Sequence, residues 1–297
     1  DGSYDTTFWA NNTFSSWASK QVSFTKDSKS PSLQIDNPVE RENISGDFSL
    51  NAAWSDETTE VETYNYTIYN ETYSETGGLN DTVDSSRFED GEYSTRFNVT
   101  DSAGNFNNST ISTTFDNTRP VLDSHTPENN DNFSSSFDVN ATWSDTTSGV
   151  KSSSYELRNS SLQVSGDLNS SIDTSNLAYG DYNLSYILED YAGNVRNKTV
   201  QITVDKEIPS LKTVLPENNS IAGTYVTVNA TYSDRYTGVK KANYEISNDS
   251  QQLQGQLNDT IDTTQLSEGD YNITYTVEDY AGNTNSSKVN ITLEDSK

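Results

Sequence analysis

Cysteine and methionine are absent from the 297 residues, histidine occurs once, and 18 lysines and arginines stand against 45 acidic residues. Without cysteine there is no disulfide, no thiol chemistry and no thiolate metal site. The sole histidine, His125, has no repeated or paired partner to activate the many serine hydroxyls, and nothing in the pattern forms a pocket, so the chain reads as non-enzymatic. No stretch approaches the roughly 20 apolar residues of a membrane span. A net charge of -27 repels phosphates, which argues against nucleic acid or an anionic membrane as partner and makes cations the natural ligands. Aliphatic side chains are scarce as well, yet 18 Tyr and 10 Phe are present, enough for several small cores built on large rings.

What is present is a repeat. Pro31, Pro120 and Pro209 are evenly spaced by 89 residues, and NAAWSD at 51–56, NATWSD at 140–145 and NATYSD at 229–234 keep the same register. Gly91, Gly180 and Gly269 open segments that end in TDSAGN or EDYAGN. Such fixed-period self-similarity marks an array. Three complete copies are delimited, 31–119, 120–208 and 209–297. Residues 1–30 align with the last third of a copy, Tyr4, Phe8, Val22 and Phe24 falling on Tyr182, Tyr186, Val200 and Ile202. The expectation is an excerpt of a longer repeat protein that begins with strands F and G of a preceding copy.

Within a copy the alternation has period two. Phe137, Val139, Ala141 and Trp143 share one face, and Tyr271, Ile273, Tyr275 and Val277 share another before a glycine turn leads to Val289, Ile291 and Leu293. About seven short strands per copy and no helical stretch predict an all-β fold of tandem seven-stranded Greek-key sandwiches stacked end to end. Trp54, Trp143 and Tyr232 are expected as core rings, and Gly104, Gly193 and Gly282 as positive-φ residues of the DxAGN hairpin turn.

The turns FEDGEY at 88–93, LAYGDY at 177–182 and LSEGDY at 266–271 resemble the tyrosine corner of immunoglobulin-like folds. With the DxAGN hairpins and the opening prolines, the chain resembles tandem immunoglobulin-like domains of bacterial and archaeal surface proteins. The resemblance implies that Tyr93, Tyr182 and Tyr271 bond their hydroxyls back to upstream backbone. It departs in copy one, which has Glu60 where Gly149 and Gly238 stand, and in the first 30 residues, where Phe14, Ser15 and Ser16 replace AGN.

Two constellations carry the functional expectations. Asn-x-Ser/Thr sequons number 21 among 33 Asn, against roughly 9 expected from the Ser and Thr content. Asn98, Asn140, Asn183, Asn229, Asn272 and Asn290 sit on the outward parity of their strands. Asn70, Asn159 and Asn248 recur in every copy, as do Asn80, Asn169 and Asn258. These twelve are the candidate N-linked glycan acceptors; the competing reading is a polar surface kept for solubility. Aspartates at the copy junctions form the second set: Asp116, Asp145 and Asp190, then Asp205, Asp234 and Asp279 one period later. In cadherin-like arrays linker and loop carboxylates meet there and hold calcium, a cation that takes six to eight oxygens. The bland alternative is that Asp simply forms turns.

The resulting expectation is a structural, glycosylated, extracellular or cell-surface segment of a stalk, filament or surface layer. Its partners are neighbouring repeats of the same longer chain, with lateral self-association into a filament or layer. The acidity and sequons suit an archaeal surface. An adhesin binding a surface protein or glycan, and a virion fibre, remain the alternatives.

Overall fold

The computed structural model describes residues 1–294, and its regular structure is strand throughout apart from one 3-10 turn. Positions 295–297, the end of the third period, lie outside the described residues. Residues 2–26 form an antiparallel hairpin of β1 (Gly2–Asn11) and β2 (Trp17–Lys26), paired from Gly2 opposite Lys26 to Asn11 opposite Trp17. The first complete copy follows as β3 (Ser32–Asn37), β4 (Glu42–Ile44), β5 (Asp47–Ser55), β6 (Val61–Tyr69), β7 (Ser74–Gly77), β8 (Asp81–Asp84), β9 (Gly91–Asp101) and β10 (Phe106–Phe115). One sheet runs β3-β5-β8 and the other β4-β10-β9-β6-β7. The core lies between them, where Leu50 and Val83 of the first sheet meet Ile68, Phe97 and Val99 of the second, all at most 1% exposed.

The expected seven strands become eight segments because the first is cut at Pro38, which has no N–H to offer the ladder. Its first part, β3, pairs antiparallel with β5, and its second, β4, crosses to the other sheet and pairs parallel with β10. The Asn37-Pro38 bond is cis, as are Thr126-Pro127 and Leu215-Pro216. The single helical feature among the described residues is a 3-10 turn at Ser85–Arg87, where Asp84 accepts the Ser86 N–H.

The same pair of sheets, three strands and five, recurs in the next two periods. The alternation read from the sequence is the alternation of burial. Tyr271, Ile273, Tyr275 and Val277 are at most 2% exposed, as the inward side of a half-buried strand requires. Each such side chain contributes about 1.5–3 kcal/mol by leaving water. Phe137, Val139 and Ala141 are buried too, while Trp54, Trp143 and Tyr232 are half-buried at the sandwich ends.

The hairpin β1–β2 has the sequence of the last two strands of a copy and none of their burial. Tyr4, Phe8, Val22 and Phe24 are 41–63% exposed, against at most 2% for Tyr182, Tyr186, Val200 and Ile202. No third strand pairs with it among the described residues.

By backbone contacts the chain forms two compact units. One holds residues 1–121, 143–152 and 188–196; the other holds 122–142, 153–187 and the chain from 197. Within the first unit the segment following β10 is grouped with two loops of the second period. Among the described residues no helix is long and apolar enough to cross a membrane.

Candidate functional site

Three aspartate triads sit where one copy hands over to the next. One carboxylate oxygen each of Asp116, Asp145 and Asp190 lies within 4.8 Å of the others, and the same holds for Asp205, Asp234 and Asp279. A third triad, Asp27, Asp56 and Asp101, follows the hairpin and was not singled out in the sequence, although it obeys the 89-residue offset.

Each member arrives by a different local route. The first directly follows the last strand of a copy, the second caps the loop after strand β5 or its equivalent, and the third ends strand β9 or its equivalent. Asp145 Oδ1 accepts the N–H groups of Thr147, Ser148 and Gly149, and Asp234 Oδ1 those of Tyr236, Thr237 and Gly238, at 2.7–3.2 Å. Copy one has Glu60 in place of that glycine. There Asp56 accepts only Thr58 and Thr59, both at 2.9 Å, and these bonds hold its carboxyl below the usual range. Asp101, Asp190 and Asp279 each accept the backbone N–H of the AGN asparagine on Oδ1 and its side-chain amide on Oδ2, at 2.8–2.9 Å.

The AGN asparagine does more than turn the hairpin. Asn194 Nδ2 also donates to the carbonyl oxygens of Asp116 at 2.8 Å and Thr118 at 3.3 Å. Asn283 Nδ2 donates to the Asp205 carbonyl at 2.9 Å and Asn105 Nδ2 to that of Asp27 at 3.4 Å. Hydroxyls complete the clasp: Thr59 and Thr237 donate to Asp27 Oδ2 and Asp205 Oδ2 at 2.6 and 2.7 Å, and Ser148 to Asp116 Oδ2. A further bond reaches the opening proline of each copy, from Asn107 to Pro31, Arg196 to Pro120 and Asn285 to Pro209. The turn glycines Gly104, Gly193 and Gly282 do have positive φ, 87–89°.

The triads gather carboxylates in largely buried surroundings. Asp101, Asp116, Asp190, Asp205 and Asp279 are fully buried. None of the nine carboxylates forms an ion pair with Lys or Arg among the described residues. Burial first, with the charge of Asp145 adding to it, holds the Asp116 carboxyl above its ordinary range. Asp234 Oδ2 is buried with no hydrogen-bond partner. An unpaired carboxylate oxygen facing two more carboxylates fits a hard cation with oxygen ligands.

The hairpin differs. Its loop carries Asn12 where the triads have Asp, and Asn12 Oδ1 accepts the N–H groups of Phe14 and Ser16 at 2.9 and 3.1 Å. Ser15 takes the positive φ of the missing glycine, 62°.

The predicted glycan acceptors separate by environment. Asn80, Asn140, Asn169, Asn183, Asn248, Asn258, Asn272 and Asn290 are exposed, whereas Asn70, Asn98, Asn159 and Asn229 are half-buried. Asn98 Nδ2 is spent on Asn65 Oδ1 at 3.0 Å. Asn80, Asn169 and Asn258 have backbone work that explains their recurrence. Each adopts φ of 58–65°, where Asn is tolerated, and its Oδ1 accepts the N–H of Ala52, Ala141 or Ala230 at 2.9–3.1 Å.

Among the corner tyrosines, Tyr93 donates to the Glu89 carbonyl at 3.1 Å and Tyr182 to that of Ala178 at 3.0 Å. Tyr271 departs from this expectation: its hydroxyl donates to Gln251 Oε1 at 2.7 Å. Copy three has an amide side chain where the others have Tyr73 and Leu162, and that amide captures the hydroxyl before the backbone can. His125 rests 4.8 Å from the Tyr186 ring with Nδ1 3.1 Å from the Pro127 carbonyl oxygen.

Residues 50–117 match the model of a bacterial Ig-like domain. No curated protein matches the sequence. Solved structures similar to the chain include the fibronectin(III)-like modules of Clostridium thermocellum CbhA, at 18% identity and TM-score 0.39, covering 59% of this chain and 94% of that one. A tetra-tandem repeat from the extending region of a large adhesion protein is 16% identical, TM-score 0.37, over 99% and 82%. The three N-terminal domains of the bacteriophage RB49 highly immunogenic outer capsid protein are 11% identical, TM-score 0.45, over 90% and 99%. The sheet order of the first copy, within which residues 50–117 match that family model, recurs in the other two, and the chain has the fold of tandem immunoglobulin-like β-sandwiches.

Proposed function

We propose that the chain is a non-catalytic structural segment of an extracellular or cell-surface glycoprotein, a stalk, filament or surface-layer element in which each repeat serves as a spacer and calcium stiffens the joints. The observation that carries this reading is the recurrence of one joint three times: a carboxylate triad with the same hydrogen-bonded asparagine at every handover. Loops that bind particular partners tend to vary, and these do not change length between copies. The triad residues Asp27, Asp56 and Asp101, Asp116, Asp145 and Asp190, and Asp205, Asp234 and Asp279 would hold the ions, which neutralise carboxylates that otherwise repel one another. N-linked glycans on the exposed asparagines would coat the strands and the turns between them.

Calorimetric titration of the whole chain with calcium chloride tests the joint, alongside small-angle scattering with calcium and with chelator. Saturable binding that Asp234→Asn reduces by one site, with a narrower distribution of sizes in calcium, supports it. Ligand in hundred-fold excess over the dissociation constant adds about 2.7 kcal/mol to stability, visible as a raised melting midpoint. No binding and no change in scattering would remove calcium from the reading. Imaging of native material separates a continuous fibre from isolated tipped projections; the latter would favour an adhesin.

A further inference from the structure

Each complete copy ends in a parallel strand pair. Glu42–Ile44 lies beside Thr113–Phe115, Asp131–Phe133 beside Ile202–Val204, and Ser220–Ala222 beside Ile291–Leu293. One strand of each pair lies near the chain's entry into the copy and the other at its exit. Because they run parallel, tension applied at entry and exit pulls them in opposite directions along their length and loads all their bonds together. An antiparallel pair under the same load would open one bond at a time.

The weak point of such a pair is its last bond, where fraying starts at little cost. That bond is made by the residue after the final strand: Asp116 N–H to Ile44 O, Asp205 N–H to Phe133 O and Glu294 N–H to Ala222 O, each 2.9 Å. At Asp116 and Asp205 the carbonyl oxygen and carboxylate Oδ2 are held by the following copy, while Oδ1 accepts the N–H of Thr118 or Glu207 in the same copy. Asn194 and Asn283 grip the carbonyl oxygens, while Ser148 and Thr237 grip the carboxylates. The carboxylate bonds are charge-assisted and among the stronger of their kind.

We propose that this aspartate couples neighbouring copies, so that the shear pair of one repeat is kept closed by the folded loops of the next. A copy then resists unfolding better with its successor in place than without it. The coupling runs through hydrogen bonds between protein groups and holds whatever the array spaces or binds.

Hydrogen exchange followed by mass spectrometry on the whole chain in chelator tests it. Thr237→Val and Asn283→Ala lie in the third copy; peptides covering 200–206 and 130–134 report on the second. Both substitutions are expected to speed exchange in those second-copy peptides by roughly ten-fold, the equivalent of losing one hydrogen bond to a charged or buried acceptor. Thr227→Val, an exposed hydroxyl elsewhere in the third copy that bonds only Thr260, is expected to leave them unchanged. Acceleration confined to the loops at 234–238 and 279–283 would overturn the proposal. Should Asn283→Ala unfold the third copy, the second-copy peptides must lose protection with it; full protection there would also overturn the proposal.

Discussion

Three glycines at one repeat position offer a graded test of how tightly these sandwiches are packed. Gly77, Gly166 and Gly255 lie on the edge strand after β6 or its equivalent, each directly opposite a tyrosine: Tyr66, Tyr155 and Tyr244. Each ring lies across the glycine. A Cβ would stand 2.5 Å from the Tyr66 and Tyr244 hydroxyl oxygens but 2.9 Å from that of Tyr155. Real Cβ atoms do not approach so closely, and the rings are only 3–7% exposed, so they cannot swing freely into solvent. None of the three glycines has positive φ, so backbone strain does not confuse the result. Displacing a packed ring costs about 1–3 kcal/mol. The smaller entropy of the unfolded alanine chain offsets about 0.4–1 kcal/mol of that. Gly77→Ala and Gly255→Ala are therefore expected to destabilise their own copies by about 1–2 kcal/mol, and Gly166→Ala by less. Denaturant-dependent hydrogen exchange, read copy by copy on the whole chain, measures this. In the Tyr244→Ala background, Gly255→Ala should cost nothing further, because the ring it strikes is gone. Stabilisation by Gly255→Ala alone, or an equal cost in both backgrounds, would refute the steric argument.

Further outcomes follow from other elements. Asn258→Ala places a side chain that disfavours positive φ at 65° and strips the Ala230 N–H of its acceptor, so a loss of about 2 kcal/mol is expected; Asn258→Gly relieves the first defect and should cost about half, by urea titration. Burial pushes the Tyr275 hydroxyl up to about 12 and raises that of Tyr186 still further. The folded state therefore keeps protons that the unfolded chain releases above about 10. Stability is full below that pH and declines as pH rises toward 12; a urea midpoint constant from pH 9 to 11.5 would contradict it. Glycopeptide mapping of native protein should find sugar on Asn183 and Asn272 and none on Asn107 or Asn285. The latter two are also sequons, but their amide nitrogens are bound to Pro31 and Pro209.

Much of the fold was legible in the sequence because side-chain direction along a strand is a local property. Tyr271, Ile273, Tyr275 and Val277 alternate in the sequence and are buried in the same alternation. The split of the first strand was also within reach, since Pro38, Pro127 and Pro216 interrupt each copy near the same place. The six junction aspartates follow from the period and the likeness to stacked sandwiches, and the same arithmetic extends to Asp27, Asp56 and Asp101.

The sequence alone determined the period, the strand alternation and the carboxylates that recur at each handover, since all of these are relations within or between short local segments. Only the tertiary structure decided what those carboxylates face. The AGN asparagine reads as a turn residue, yet its amide reaches an aspartate carbonyl 78 residues upstream. Likewise one glutamine, 20 residues before Tyr271, redirects a hydroxyl that its two counterparts give to backbone. Hydrogen bonds of this kind depend on where loops from different strands converge, and that convergence is set by the packing of two sheets rather than by any pattern along the chain.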